Sequence, residues 1–373
     1  MKTGCYLATS LFFIGCTQPV EEETDTPDVD LEPYLFDEMS LTILDNLVEH
    51  SVTDDFHWLH SETGDTAGFA PRTLFTFAEP LDRADLADIA LGTADLYLEV
   101  APPTIQAWLA GETVDSADMT LAMAGAPALI DAYVHTGDPT YLDYLSINSR
   151  LISALIINDL SLIEAGGDFS FYHPMFIGGA LITMNAEIAL AIAQVQGSYD
   201  EAAEVHLGQG SDLVEALDSY LTPGGYYALS ESASVSAFYN ANMAMALTAM
   251  YRATDEPDYL ERANTLFEAM NPLWDVEKGA YLNDGSSSYI GLAENNSLMY
   301  GHLMLGEVDR VQAFYGWVEE SLFRELPDGY AVMLHDNEGV YGEWYWCSGC
   351  NFLALYNIWL LNKTMGNEPI SAE

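Results

Sequence analysis

The chain has 373 residues, 50% of them hydrophobic, which is ample for a large core in one big domain or two ordinary ones. It carries 58 acidic residues against 10 basic ones, a formal net charge of -48. Such a surface repels phosphate backbones, which argues against nucleic-acid binding, and it weakly disfavours polyanionic substrates such as polyuronates. High salt would screen its self-repulsion, so the composition suits a saline habitat.

Residues 1–15 read as a targeting segment. Lys2 is a minimal basic region, and YLATSLFFIG is too short an apolar run to span a bilayer. It ends in Phe13-Ile14-Gly15-Cys16, which resembles the lipobox of bacterial lipoproteins, with Phe13 where leucine is usual. The resemblance implies that Cys16 is lipidated and becomes the mature N-terminus. Thr17 rather than aspartate follows Cys16, which by the same resemblance points to the outer membrane of a two-membrane bacterium. An ordinary secretory signal is the alternative. Residues 16–36 are acidic, proline-bearing and without apolar periodicity, as in a disordered tether. Membrane contact is expected through the lipid alone.

From residue 37 to 366 two kinds of helix alternate, and 367–373 is a tail. Amphipathic helices are predicted at 38–52, 82–99, 135–155, 196–217, 253–270 and 307–323. In the fifth, Tyr259, Leu260, Ala263, Leu266, Phe267 and Met270 form one apolar stripe. Pro139 and Pro257 stand at first helical positions, where a missing N–H is harmless. Between these lie segments apolar almost all round, at 71–80, 118–135, 178–195, 235–252, 293–305 and 347–362. A helix without a charged face is buried on every side. The run at 178–195 holds Asn185 and Glu187 and is read as one of these core helices, not a membrane span. The centres fall roughly 55–60 residues apart, as in helix-pair arrays. Six outer and six inner helices predict an all-α (α/α)6 toroid acting as a monomer, with an open solenoid of helix pairs as the competitor.

In a toroid the outer-to-inner loops open on one face. Here they are 53–66, 100–117, 159–177, 222–234, 272–292 and 326–346, long and in places hairpin-like. Long loops on a rigid scaffold are where function sits. The first contains DDFHWLHSETGD, with two adjacent aspartates and two histidines. Glycoside cleavage needs one protonated and one ionised carboxyl, and apolar neighbours raise a carboxyl pKa. Asp54 and Asp55 beside Phe56 and Trp58, Asp168 beside Phe169, and Glu343 beside Trp344 are therefore the acid/base candidates. Asp65, Glu231, Asp275, Asp284, Glu294, Asp336 and Glu338 lie on the same face, in a chain so acidic that most carboxylates are solvated surface. His57, His60, His173 and His335 belong to rim loops, and with Trp58 and Trp344 as stacking platforms they are candidates for holding a substrate. His302, inside an inner helix, reads as a satisfied core histidine. Cys347 and Cys350, in WCSGC, read as a local disulfide of an exported protein. The alternative is zinc held by Cys347, Cys350 and His335 with one position open. Glycine-rich phosphate loops, GxSxG and HExxH are missing from the sequence.

The stretch ESASVSAFYNANMAMALTAMYRATDEPDYLERA, 231–263, resembles the family-76 glycoside hydrolases, the bacterial endo-α-1,6-mannanases. It also resembles the wider six-hairpin glycosidase superfamily and the N-acylglucosamine 2-epimerases. Tyr239-Asn240, Thr254-Asp255 and Tyr259-Leu260 carry the likeness, and the turn recurs at Thr136-Gly137-Asp138 with Tyr141-Leu142. The resemblance implies the toroid over most of 38–363, a glycosidase or sugar epimerase, and a substrate-side place for Tyr239 and Asn240. The mannanases use an adjacent aspartate pair before a mid-barrel inner helix. Here GGDFSFYHP offers only Asp168, and the adjacent pair is Asp54-Asp55. WCSGC resembles the Trp-Cys element of lanthionine-synthetase-like toroids, which bind zinc, but their Cys-His-Gly element is absent because Asn351 follows Cys350. The expected protein is a lipid-anchored glycosidase on a neutral glycan, working without a cofactor. The alternatives are a zinc toroid and a non-catalytic lipoprotein that binds glycan or protein.

Overall fold

A computed structural model describes residues 36–53, 56, 69–112, 125–162, 174–230, 233–326, 331–339 and 346–366. The signal at 1–15, nearly all of the tether at 16–36 and the tail at 367–373 lie outside the described residues.

Twelve α-helices run through the described chain. The odd-numbered ones are α1 (Phe36–His50), α3 (Ala84–Leu109), α5 (Thr140–Asn158), α7 (Glu201–Leu217), α9 (Pro257–Met270) and α11 (Val308–Ser321). The even-numbered ones are α2 (Ala70–Ala78), α4 (Ala126–Thr136), α6 (Pro174–Gln196), α8 (Ala237–Thr254), α10 (Leu292–Met304) and α12 (Ser348–Thr364). Each even helix packs on the next, and α12 packs on α2, which closes the ring. The odd helices cover it from outside. This is the (α/α)6 toroid, and the closing contact excludes the open solenoid. Helix α6 contains a stretch, Met175–Gln196, long and apolar enough to cross a membrane, but 83% of its apolar window is buried in the ring.

Local chemistry sets the helix ends. Helix α4 stops at Gly137 in the left-handed region, φ 71°, where glycine is unstrained. Helix α8 stops the same way at Asp255, φ 57°, in the matching turn. Asp200 caps α7 by accepting the Ala203 N–H at 2.9 Å. One helix is longer than its sequence suggests. Helix α3 continues to Leu109 through Pro102 and Pro103, where a loop from residue 100 is expected. Ala101 and Ile105, one turn apart and both buried, hold that last stretch against the core.

Short antiparallel hairpins precede three inner helices: β1 (Trp274–Asp275) with β2 (Ala280–Tyr281), β3 (Phe323–Glu325) with β4 (Ala331–Met333), and the bridge Leu221 to Tyr227. Each is stapled by an asparagine at the fourth position of the helix that follows. Asn240 accepts from the Tyr227 N–H at 2.8 Å and donates to the Tyr227 and Ser236 carbonyls at 3.1 and 2.9 Å. Asn295 does the same to Tyr281 at 2.8 and 3.0 Å, and to Gly291 at 3.0 Å. Asn351 does so to Met333 at 2.8 and 2.9 Å, and to Cys347 at 2.9 Å. The amide imitates one residue of a neighbouring strand and satisfies both backbone groups. Asn240 is therefore a buried scaffold residue and not substrate-facing as expected, because its amide is fully occupied by backbone.

Candidate active site

One polar side chain from each of the six inner helices meets inside the ring. Arg72 of α2 is the centre. Its Nη1 and Nη2 donate to the two carboxylate oxygens of Glu187 (α6) at 2.9 and 2.8 Å. Its Nε lies 3.1 and 3.2 Å from the two oxygens of Asp131 (α4). Its guanidinium stands 5.7 Å from the ring centre of Tyr356 (α12). Arg252 (α8) donates to the Tyr300 hydroxyl (α10) at 2.8 Å. Tyr300 and Tyr356 lie 6.4 Å apart between ring centres. The Arg72, Asp131 and Glu187 side chains keep 11%, 14% and 8% exposure.

The two carboxyls are electrostatically unequal. Burial pushes Asp131 up to about 7, against the pull of Arg72 and with a further push from the Glu187 charge. Burial pushes Glu187 up as well, but the Arg72 charge, the paired hydrogen bonds and Arg252 outweigh it and hold Glu187 below the ordinary carboxylate range. A proton-bearing carboxyl beside an ionised one is the asymmetry that acid/base chemistry uses.

A second polar group stands at the N-terminus of α10, on the loop-bearing face. The Leu292 N–H donates to the His335 carbonyl at 2.8 Å, and Gly291 bridges to Asp336. The His335 Nδ1 lies 3.9 Å from an Asp336 carboxylate oxygen, and the other oxygen accepts the Glu338 N–H at 2.8 Å. The Glu294 Oε2 is buried and makes no hydrogen bond. A Cβ on Gly291 would fall 2.0 Å from that oxygen, so the glycine makes its room. Burial, and then the nearby Asp336 charge, push the Glu294 carboxyl up.

Cys347 and Cys350 are joined in a disulfide, Cα to Cα 5.2 Å, at the start of α12. The Cys347 Sγ also accepts the Cys350 N–H at 3.0 Å and caps the helix. With the sulfurs bonded to each other neither is a thiolate, so a zinc set of Cys347, Cys350 and His335 requires the reduced protein. Among the described residues no three His, Cys, Asp or Glu side chains are grouped to hold a metal.

Asp54, Asp55, His57, Trp58, His60, Asp168, His173, Glu343, Trp344 and Cys16 lie outside the described residues. Phe56, inside the first rim loop, has φ 64°, and its ring packs where a Cβ on Gly92 of α3 would lie, at 2.5 Å. Tyr239 is 37% exposed and meets Phe238 edge-on at 5.3 Å. His302 is buried and satisfied as expected, between the Tyr281 hydroxyl at 2.8 Å and Glu307 at 2.7 Å. The inner-helix group was missed. Its signal was present: Arg72, Asp131, Glu187 and Arg252 are lone charges in otherwise apolar helices, and a buried charge must find a partner.

No protein-family model and no curated relative matches the chain. Solved structures do. An unsaturated glucuronyl hydrolase from Streptococcus agalactiae superposes with TM-score 0.59 at 13% identity, over 90% of this chain and 92% of its own. An unsaturated glucuronyl hydrolase specific for heparin gives TM-score 0.62 at 12% identity, over 90% and 98%. A D-mannose isomerase gives 0.61 at 11%, over 90% and 100%. At these identities the likeness is one of fold, and the fold is the (α/α)6 toroid in which those enzymes are built.

Proposed function

We propose that the protein is a lipid-anchored carbohydrate-active enzyme that works on a neutral glycan by carboxyl acid/base chemistry. The observation that carries this reading is the Asp131–Arg72–Glu187 group, two buried carboxyls on one guanidinium inside the ring, where burial favours the protonated form of Asp131 and the Arg72 fork favours the ionised form of Glu187. In the proposed reaction Asp131 donates a proton to the oxygen that leaves the sugar, and ionised Glu187 offsets the positive charge that develops. The toroid supports it, since similar folds belong to proteins named as sugar hydrolases and a sugar isomerase.

A neutral substrate is favoured because Arg72 already engages two carboxylates and the chain as a whole is strongly acidic. The rim candidates keep their proposed places. Asp54, Asp55, Asp168 and Glu343 would supply the second carboxyl for water or nucleophile. His57, Trp58, His60, His173, Tyr239, His335 and Trp344 would hold the sugar. Cys16 would anchor the enzyme to the outer membrane, on the strength of the Phe13-Ile14-Gly15-Cys16 resemblance.

The test is a panel of neutral and uronate-bearing glycans, assayed for cleavage and isomerisation with the wild type and Asp131→Asn. Turnover of a neutral glycan, reduced ~10²–10⁴-fold in Asp131→Asn with binding kept, is the expected result. Binding without turnover, unchanged by the substitution, would make the protein a glycan-binding lipoprotein instead.

A further inference from the structure

We infer that Phe176 and Phe238 form an aromatic lip at the mouth of the ring, on which one unit of a neutral sugar chain stacks; this rests on the proposed carbohydrate function. The inner helices begin on the loop-bearing face, and the two phenylalanines stand in the first turns of α6 and α8. The starts of these helices touch. A Cβ on Gly179 of α6 would fall 2.7 Å from the backbone of Asn242 in α8, and the Asn242 amide donates to the Phe176 carbonyl at 3.4 Å. Phe176 comes three residues before Gly179 and Phe238 four before Asn242, so each is about one turn nearer the mouth than that contact. Both stand on the faces turned into the ring. Glu187 follows Phe176 by eleven residues, about three turns, and Arg252 follows Phe238 by fourteen, just under four turns. Glu187 and Arg252 are the interior side chains of the same two helices.

Phe238 is 37% exposed and Phe176 is half-buried, whereas Tyr227, Tyr281 and Trp346 from the hairpins and loops of the same face are buried. The two phenylalanines thus forgo part of the gain of burial at the opening. A phenyl ring offers a flat apolar face and no hydrogen bond, so its complement is a flat apolar face whose polar groups point sideways. The C–H face of a pyranose is such a surface, with hydroxyls around its edge. Tyr239, also 37% exposed and edge-on to Phe238 at 5.3 Å, adds a hydroxyl next to the lip. The strongly acidic chain repels a uronate at the mouth, which leaves a neutral sugar as the occupant. The lip makes no contact with the acid/base group among the described residues, so it acts on affinity and not on the rate of the chemical step.

The experiment measures calorimetric affinity and turnover of the full chain on linear cello-, malto- and manno-oligosaccharides, for the wild type, Phe238→Ala, Phe238→Trp and Asp131→Asn. Phe238→Ala should weaken the glycan that binds by about three- to tenfold and raise KM as much, with kcat and melting temperature kept, and Phe238→Trp should restore the affinity. Asp131→Asn should do the reverse, losing kcat and keeping affinity. Turnover that depends on Asp131, with affinity and KM unmoved in Phe238→Ala, would overturn the lip and leave the proposed function standing. Binding that weakens in Phe238→Ala without any turnover would uphold the lip and remove the enzyme. A loss confined to phenyl glycosides, with unsubstituted oligosaccharides bound as before, would make the lip an aglycone site and overturn the sugar. If none of the neutral oligosaccharides binds the wild type, the lip is wrong.

Discussion

Arg72 is the residue on which the interior depends. Its fork favours ionised Glu187 and lies against Asp131, so replacing it removes both hydrogen bonds of a buried carboxylate and leaves it only the weaker Arg252 charge. Arg72→Met should destabilise the protein by about 3–5 kcal/mol, read from urea denaturation, whereas a surface ion pair such as Arg83 with Asp45 should give less than about 1. Asp131 adds a pH dependence whose sign is fixed. Its folded-state value of about 7 exceeds the ordinary 3.8, so the folded protein holds a proton that the unfolded chain releases. That contribution is full below the ordinary value and is lost as pH rises through about 7. Stability should therefore fall across that interval, and Asp131→Asn should flatten the fall. Failure of the variant to change the slope would mean that Asp131 is ionised throughout. Glu294 follows the same sign, since burial and Asp336 both favour its protonated form. Glu294→Gln should raise the melting temperature at alkaline pH and not lower it. These residues were in plain view in the sequence as lone charges on apolar helices. Their partners were not, because they come from helices brought together only by ring closure.

Among the elements, the asparagine staples explain why the Tyr-Asn motif suggests function from sequence yet serves the scaffold. Asn240, Asn295 and Asn351 each hold the N–H and C=O of one hairpin residue. Removing one amide leaves those buried backbone groups without partners, at about 1–3 kcal/mol each. Asn295→Ala should lower stability by that order and selectively expose the Tyr281 amide to hydrogen exchange, leaving Tyr227 protected. Equal loss at both sites would mean that the hairpins unfold as one unit. The disulfide acts on a smaller span. Closing a four-residue loop is worth about 2 kcal/mol on the chain-entropy account, so Cys347→Ser with Cys350→Ser should reduce stability by about that much. Elemental analysis of the reduced protein decides the zinc alternative, since stoichiometric zinc lost on Cys347→Ser would restore it. The alternation of helices was legible because a buried helix and a half-buried helix differ all along their length. The far end of α3 was not, because Pro102-Pro103 reads locally as a stop, while Ala101 and Ile105 are held by packing the sequence does not display.

At the scale of the whole molecule, periodicity gives six helix pairs but does not say whether they close. Closure rests on α12 meeting α2, and on Tyr356 of the last inner helix lying against Arg72 of the first. The ring thus brings the two ends of a strongly acidic domain together, and the repulsion within a chain of formal charge -48 opposes that. Self-repulsion between exposed charges is screened over about 10 Å at 0.1 M salt and about 3 Å at 1 M. The melting temperature should therefore climb steeply with sodium chloride at low ionic strength and level off towards molar salt. The Arg72 group should not share this behaviour, because buried pairs are screened far less. Two measurements separate the layers of the molecule: the salt-dependent rise should persist in Asp131→Asn, and the pH-dependent fall should persist in molar salt. If salt abolished the pH effect, Asp131 would be solvent-facing and the interior would be open. If the melting temperature did not respond to salt, the acidic surface would be neutral in its effect on stability, and a saline habitat would lose its physical argument.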